Sequence, residues 1–431
     1  MWILETIFDK IANELFSLFR KTPLYKKIMG GTAALHINNR LQTTKKIMKE
    51  VSKFNFDKFE DTKQICGINL KSFYEDDMRE MTIIDKNRKK HSIQIPYLEI
   101  INFTKTPNAD IKISCSPESP LLVSEKYHYP ENIERATYDW PDRVKKKNPK
   151  TFNGLHPRLA SMKHIKDDIY ECKFEITDYF TQIRSNLSLD YHMDLDGRDT
   201  TVRTLEREQH MREMKDWQKK GIPNDPLHPR CLTSLDNSLL ANVVGVSAIW
   251  AMGDLRNPKI YLMLRNNKVG VYRNKRGMPS GDIELPKYNR HVDPDTTDYY
   301  FRDSSLVEYL KWEIAREFAE ETGIRDITKN LNNYSINVDG NKIGHAVEME
   351  IIPLAFTREM LRGGKPQMFF LIHTETLPKS LMKECFVDSL GKDEFKEARL
   401  TTAPISAEVA ANYLYALEYI QRNMDGTIEL A

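Results

Sequence analysis

Apolar residues recur along this chain at two spacings, and the change from one to the other marks out its elements. Leu306, Leu310, Ile314 and Phe318 follow a helical repeat, which predicts an amphipathic helix with Gly323 at its C-terminal cap. Leu4, Ile7, Phe8, Ile11, Leu15, Leu18 and Phe19 form a similar stripe over residues 1–20, and QTTKKIMKEVSKF predicts a second helix over about 38–54. The runs SIQIPYLEIINF and IKISC, within 65–125, alternate or are β-branched and predict strands. YECKFEITDYFTQIRSNLSLDY alternates before turning into a helix. Residues 200–222 read as an exposed helix ending at Gly221. MDLDGRDT, at 193–200, reads as a turn, because it lacks the later glutamate of a calcium loop. Residues 243–252, VVGVSAIWAM, are apolar but for Ser247, the near-continuity expected of a strand covered on both faces. A turn at 254–258 and a returning strand at 260–265 follow. Further strands are expected at 348–356 and 367–374, and a final helix at 407–422 with Val409, Tyr413, Leu414, Leu417 and Ile420 on one face.

Prolines 130, 141, 149 and 157 punctuate the middle of the chain, and Pro223, Pro226 and Pro229 mark a linker. The expected division is an α+β N-terminal region over 1–126, a second region with linker over 127–232, and a C-terminal domain over 233–431. The last is α/β, a mixed β-sheet with helices on both faces. A formal charge of +2 over 431 residues gives no reason to expect nucleic acid. Cys66, Cys115, Cys172, Cys231 and Cys385 lack metal-site or redox-motif spacing, which fits free thiols in a cytoplasmic protein. No apolar run is long enough to span a bilayer, and Glu5, Asp9 and Lys10 argue against a secretory leader. The first helix either lies on a membrane surface, with Arg20, Lys21, Lys26 and Lys27 as anchors, or packs on its own domain, a partner or a second copy. Its acidic residues favour packing.

Candidate chemistry lies in the stretch from Glu308 to Ile324. Glu317, Glu320 and Glu321 are three and four residues apart, so their carboxylates share one face. Like charges this close repel, and a hard divalent cation such as Mg²⁺ or Mn²⁺ relieves them. The bland alternative is a solvated acidic face. The full string tips the balance: Glu308, a gap of seven residues, then Arg316-Glu317-Phe318-Ala319-Glu320-Glu321-Thr322-Gly323-Ile324 resembles the second half of the Nudix box. The entry half is displaced. Pro279-Ser280-Gly281-Asp282-Ile283-Glu284 resembles the glycine-containing entry, but the 26 residues 282–307 separate Gly281 from Glu308, and the contiguous position 302 is arginine. The intervening polar stretch, with Pro286 and Pro294, reads as an inserted surface loop. TFNGLHPRLAS, TDYFTQIRSNLS and SLDNSLLANVVGVSAIW resemble the region before the box in the branch that cleaves UDP-glucose and UDP-galactose.

The resemblance implies a Nudix-type α/β/α sandwich and a pyrophosphohydrolase acting on a nucleoside diphosphate linked to X, a nucleotide sugar such as UDP-glucose. ADP-ribose or a dinucleotide is the next substrate class. It assigns Glu317, Glu320 and Glu321 to the metal, and to Arg316 the holding of a catalytic glutamate, with Glu308 as a possible partner of Arg316. One of the metal glutamates, or another, would be the base. Arg265, Arg273, Lys275 and Arg276 flank the preceding strand and are candidates for phosphate contact. So are Gly281 and, in the turn Arg362-Gly363-Gly364-Lys365-Pro366-Gln367, Lys365 or Gln367. Tyr272 or Phe369 is a candidate to stack on a base. The reading from another class is a nucleotide-sensing module whose N-terminal region signals to a partner.

Overall fold

The structure is a computed structural model describing residues 41–43, 74, 79–84, 90–117, 119–147, 151–264, 276–285, 299–301, 303–322, 327–329, 334–337, 346–375 and 405–423. Its strands are β1 Leu41–Thr43, β2 Arg79–Ile84, β3 Lys90–Ile95, β4 Tyr97–Asn102, β5 Asp110–Ile113, β6 Leu122–Val123, β7 Leu155–Lys166, β8 Ile169–Asp178, β9 His192–Leu195 and β10 Arg198–Thr201. They continue with β11 Gly245–Met252, β12 Lys259–Tyr261, β13 Met263–Leu264, β14 Arg276–Gly277, β15 Ser280–Asp282, β16 Tyr299–Tyr300, β17 Ile327–Lys329, β18 Tyr334–Asn337, β19 Ala346–Glu359 and β20 Lys365–Thr374. The α-helices are α1 Glu131–Ala136, α2 Trp140–Lys147, α3 Tyr179–Arg184, α4 Val202–Lys220, α5 Leu306–Thr322 and α6 Ala407–Asn423.

The fold is mixed α/β. Its main sheet has nine strands in the order β1-β12-β11-β20-β19-β18-β17, with β15 added to β11 and β4 to β19. β11 and β20 run parallel at its centre, while β15 and β12 pair antiparallel with successive parts of β11. Both central strands are almost wholly buried, as the nearly unbroken apolar run of β11 requires when helices cover both faces. Alternation along β11 sorts the side chains. Val246, Ala248, Trp250 and Met252 share a core with Leu306, Leu310, Ile314 and Phe318 of α5, and the Trp250 and Phe318 rings meet edge to face at 4.8 Å. Ile249 and Ala251 share the other core with Val409, Tyr413, Leu414, Leu417 and Ile420 of α6.

Residues upstream of 127 belong to the same construction. β4 pairs with β19, and β5, β8 and β7 form a second sheet whose Ile111, Leu159 and Phe174 share the α5 core. Ser305 joins the two parts. Its hydroxyl donates to Asp110 at 2.6 Å, while the Glu308 main-chain N–H donates to that hydroxyl at 3.4 Å, in the manner of a helix N-cap. β5 therefore fixes where α5 begins.

Two local expectations change. Leu41–Thr43 is a strand against β12, inside the segment whose spacing predicts a helix over about 38–54; sheet pairing overrides local propensity there, and residues 1–40 and 44–54 lie outside the described set. α4 ends at a left-handed Gly221 as expected, but it is not an exposed helix. Val202, Arg203, Glu206, His210 and Glu213 are buried, and polar partners make that possible. Arg203 donates to Asp190 at 2.6 and 3.0 Å and to the Tyr74 hydroxyl at 2.6 Å. Glu213 accepts from Asn237 at 2.8 Å and from the Ser234 main chain at 2.9 Å. A hydrophobic repeat cannot reveal a face buried through ion pairs. Among the described residues no helix is long and apolar enough to cross a membrane.

The β2–β4 segment is tied to α6 by charge. Arg79 donates to Glu418 at 3.0 Å and pairs with Glu99, and Asn102 donates to Glu418 at 2.9 Å. Burial opposes ionisation of Glu418, but Arg79, Asn102 and Lys105 outweigh it and hold the carboxyl below the ordinary glutamate value. A group with a depressed folded-state pKa contributes stability that is full above its unfolded pKa and lost as pH falls through the folded one. Glu418→Gln is therefore expected to cost about 1–3 kcal/mol at pH 7 and progressively less below about pH 4. Denaturant unfolding at both pH values checks this, and an equal cost at both would rule it out.

Candidate functional site on the acidic helix

α5 projects two classes of side chain. Its apolar stripe enters the core, and Glu313, Arg316, Glu317, Glu320 and Glu321 lie off that stripe, with Glu317 and Glu321 against β15. Because β15 pairs with the start of β11, the displaced Ser280-Gly281-Asp282 is brought against this helix face.

Gly281 lies against the Glu317 carboxylate. A Cβ built there would lie under 3.0 Å from Cδ, Oε1 and Oε2 of Glu317, so this strand position accommodates the carboxylate only as glycine. One residue back, the Ser280 main-chain N–H donates to Glu321 Oε2 at 3.2 Å. Two of the three expected metal glutamates thus address β15. The third does not: Glu320 is 48% exposed and accepts from Arg316 at 3.0 Å.

Arg316 is the hub of the face. It donates to Glu317 at 2.6 Å, to Glu320 at 3.0 Å and to Glu313 at 3.1 and 3.4 Å. Burial works against its charge, but Glu317, Glu313 and Glu320 outweigh that and raise its pKa above the usual guanidinium value. The pairing of Arg316 with Glu308 is not what forms. Glu308 lies in the first turn of α5 and pairs with Lys311 at 2.6 Å and Lys329 at 3.8 Å, two turns from Arg316. Glu313, one turn from Arg316, takes that place, with a side chain only 2% exposed. Burial pushes the Glu313 carboxyl above the ordinary range, against the pull of Arg316. The signal for Glu313 was in the sequence, three residues before Arg316.

Lys365 and Gly281 do not share a site. Strand parity places Gly281 beside Val246, on the α5 face, and Asp282 beside Gly245, on the α6 face. Lys365 is 2% exposed and pairs with Asp282 at 2.7 Å, beneath Gly245, whose missing Cβ leaves room for the Lys365 ammonium. Burial disfavours the Asp282 charge, but Lys365 and Gln182, which donates at 2.6 Å, hold its carboxyl below the usual aspartate range. Gln367 sits nearby, bonded to Ser247 at 3.1 Å and Glu408 at 3.1 Å. The expectation that Lys365 or Gln367 faces a ligand gives way to a buried polar layer under α6, because the sheet stands between them and Glu317. Phe369, a candidate for stacking, is fully buried against Tyr97 and Tyr415. Arg265, Tyr272, Arg273, Lys275 and Gly323 lie outside the described residues, as does the Arg276 side chain.

Among the described residues no group of three or more His, Cys, Asp or Glu side chains is gathered as a ready ligand set. Glu317 and Glu321 match a hard divalent cation in donor type. Both are oxygen donors on one helix face against a main-chain strand, and the bare Gly281 leaves the Glu317 carboxylate close to that strand's backbone. Arg316 now supplies the positive charge that such a cation would supply.

No family model matches the chain, and no curated protein matches it.

Proposed function

We propose that this chain is a metal-dependent hydrolase of the Nudix type, cleaving the pyrophosphate of a nucleoside diphosphate linked to X, with a nucleotide sugar as first substrate class and ADP-ribose or a dinucleotide as second. The observation that carries this is the approach of Gly281 to Glu317. The displaced entry segment and the glutamate string, read separately in the sequence, meet in space although the residues 282–307 intervene.

Glu317, Glu320 and Glu321 would hold Mg²⁺ or Mn²⁺, which when bound neutralises phosphate oxygens and lowers the pKa of a coordinated water. The chain's own groups prepare for this. Arg316 restrains Glu317 by a charge-assisted bond of 2.6 Å, and the Ser280 N–H restrains Glu321. One turn of α5 thus presents oxygens whose positions are fixed before any ligand arrives.

A second reading, nucleotide binding without hydrolysis, is favoured by the ion pairs that occupy Glu317 and Glu320 through Arg316. A panel of nucleotide sugars, ADP-ribose and dinucleotides with Mg²⁺, followed by released phosphomonoester, separates the two. Turnover of one class that is abolished by chelation is expected. Thermal stabilisation by a nucleotide with no product from any member would transfer the case to the binding module.

A further inference from the structure

We infer that Glu313 is a positioning residue of this site, one that decides through Arg316 how firmly Glu317 and Glu320 are held from an incoming cation. The inference rests on the metal-dependent reading above. Glu313 lies on no part of the glutamate string, yet it is the most buried carboxylate among the partners of Arg316. It takes the Nε and a terminal nitrogen of the guanidinium, at 3.4 and 3.1 Å, while Glu317 and Glu320 take the terminal nitrogens. The guanidinium is therefore shared between an inner carboxylate and two outer ones. The inner one has a seat beside the Gly281 segment: the Glu284 main chain bonds to it, and Tyr309, four residues before it on α5, donates its hydroxyl to the Glu284 carbonyl at 2.9 Å. Glu284 closes the Gly281 segment, so the same buried carboxylate links Arg316 to the strand that Glu317 faces.

The physical consequence is a competition. A cation at Glu317 and Glu320 must take those oxygens from Arg316, and Arg316 can yield them because Glu313 retains it. Without the Glu313 charge, Glu317 and Glu320 are the carboxylates left bonded to Arg316 among the described residues, and it holds them harder.

The test is Mn²⁺ binding to the full chain, followed by electron paramagnetic resonance, in the parent, Glu313→Gln, Arg316→Gln and the double variant. Glu313→Gln is expected to weaken Mn²⁺ binding about tenfold in the parent and about twofold or less when Arg316 is already glutamine. The through-space loss of one negative charge enters both backgrounds and cancels in the cycle, so what remains is the route through Arg316. Equal shifts in the two backgrounds, or none in the parent, would overturn the inference. Glu313→Asp, which keeps the charge, guards against a folding defect: it is expected to bind Mn²⁺ more tightly than Glu313→Gln, and affinity as low as that variant's counts against the proposal. Mn²⁺ binding that is absent from the parent, or untouched by Glu317→Gln and Glu321→Gln, would remove the metal reading and this inference with it. Parent binding that depends on Glu317 while ignoring Glu313 would remove only the inference.

Discussion

Glu317→Gln is expected to reduce metal-dependent turnover of the best nucleoside diphosphate substrate by about 10²–10⁴-fold, with the folded state intact. Glutamine keeps the volume and one oxygen, but it loses the charge that a divalent cation and Arg316 both require. The cost in stability is small, because the pair of Glu317 with Arg316 is only partly buried and Arg316 retains two other carboxylates. Initial rates across a Mg²⁺ titration, with thermal unfolding alongside, make the comparison. Turnover within about threefold of the parent at saturating Mg²⁺ would remove Glu317 from the chemistry.

Gly281→Ala carries the second large effect, and its signature differs. The added methyl meets the far end of a flexible side chain and not backbone, so α5 and β15 need not separate. Glu317 must swing away instead. Unfolding temperature is expected to move by only a few degrees. Turnover should fall about 10²-fold, the usual penalty for a reacting group displaced by an ångström or so. A Gly281→Ala protein as active as the parent would show that the close approach has no part in function, and the joining of the two halves of the motif would lose its meaning.

How much of this was readable beforehand depended on which force set each feature. Spacing alone gives α5, β11, β20 and α6 nearly to their observed ends, and the middle of β19, because each buries an apolar face and burial writes a period into the sequence. The glutamates and Gly281 are legible as residue types at fixed intervals. Their meeting is not, since it depends on β15 pairing with Gly245–Ser247 and on where the inserted stretch lets the chain return. Charged residues that are buried escape the hydrophobic repeat altogether. Glu313 sits in a helix otherwise read for its Leu, Ile and Phe, and Arg203, Glu206, His210 and Glu213 join Val202 in making one face of α4 interior. Lys365 fails in the opposite sense. A lysine after two glycines reads as a loop cation, while strand parity turns it under α6 to pair with Asp282.

The bond between Ser305 and Asp110 joins residues 195 positions apart, and it sits at the first turn of the helix that carries the carboxylates. The acidic apparatus therefore has its footing in the amino-terminal half of the chain. A cassette cut at residue 233 would carry every glutamate of the string and leave behind Asp110, the partner of the residue that caps their helix. Anything that docks on β5 or its neighbours would bear on the first turn of that helix, with no need to touch the carboxylates themselves.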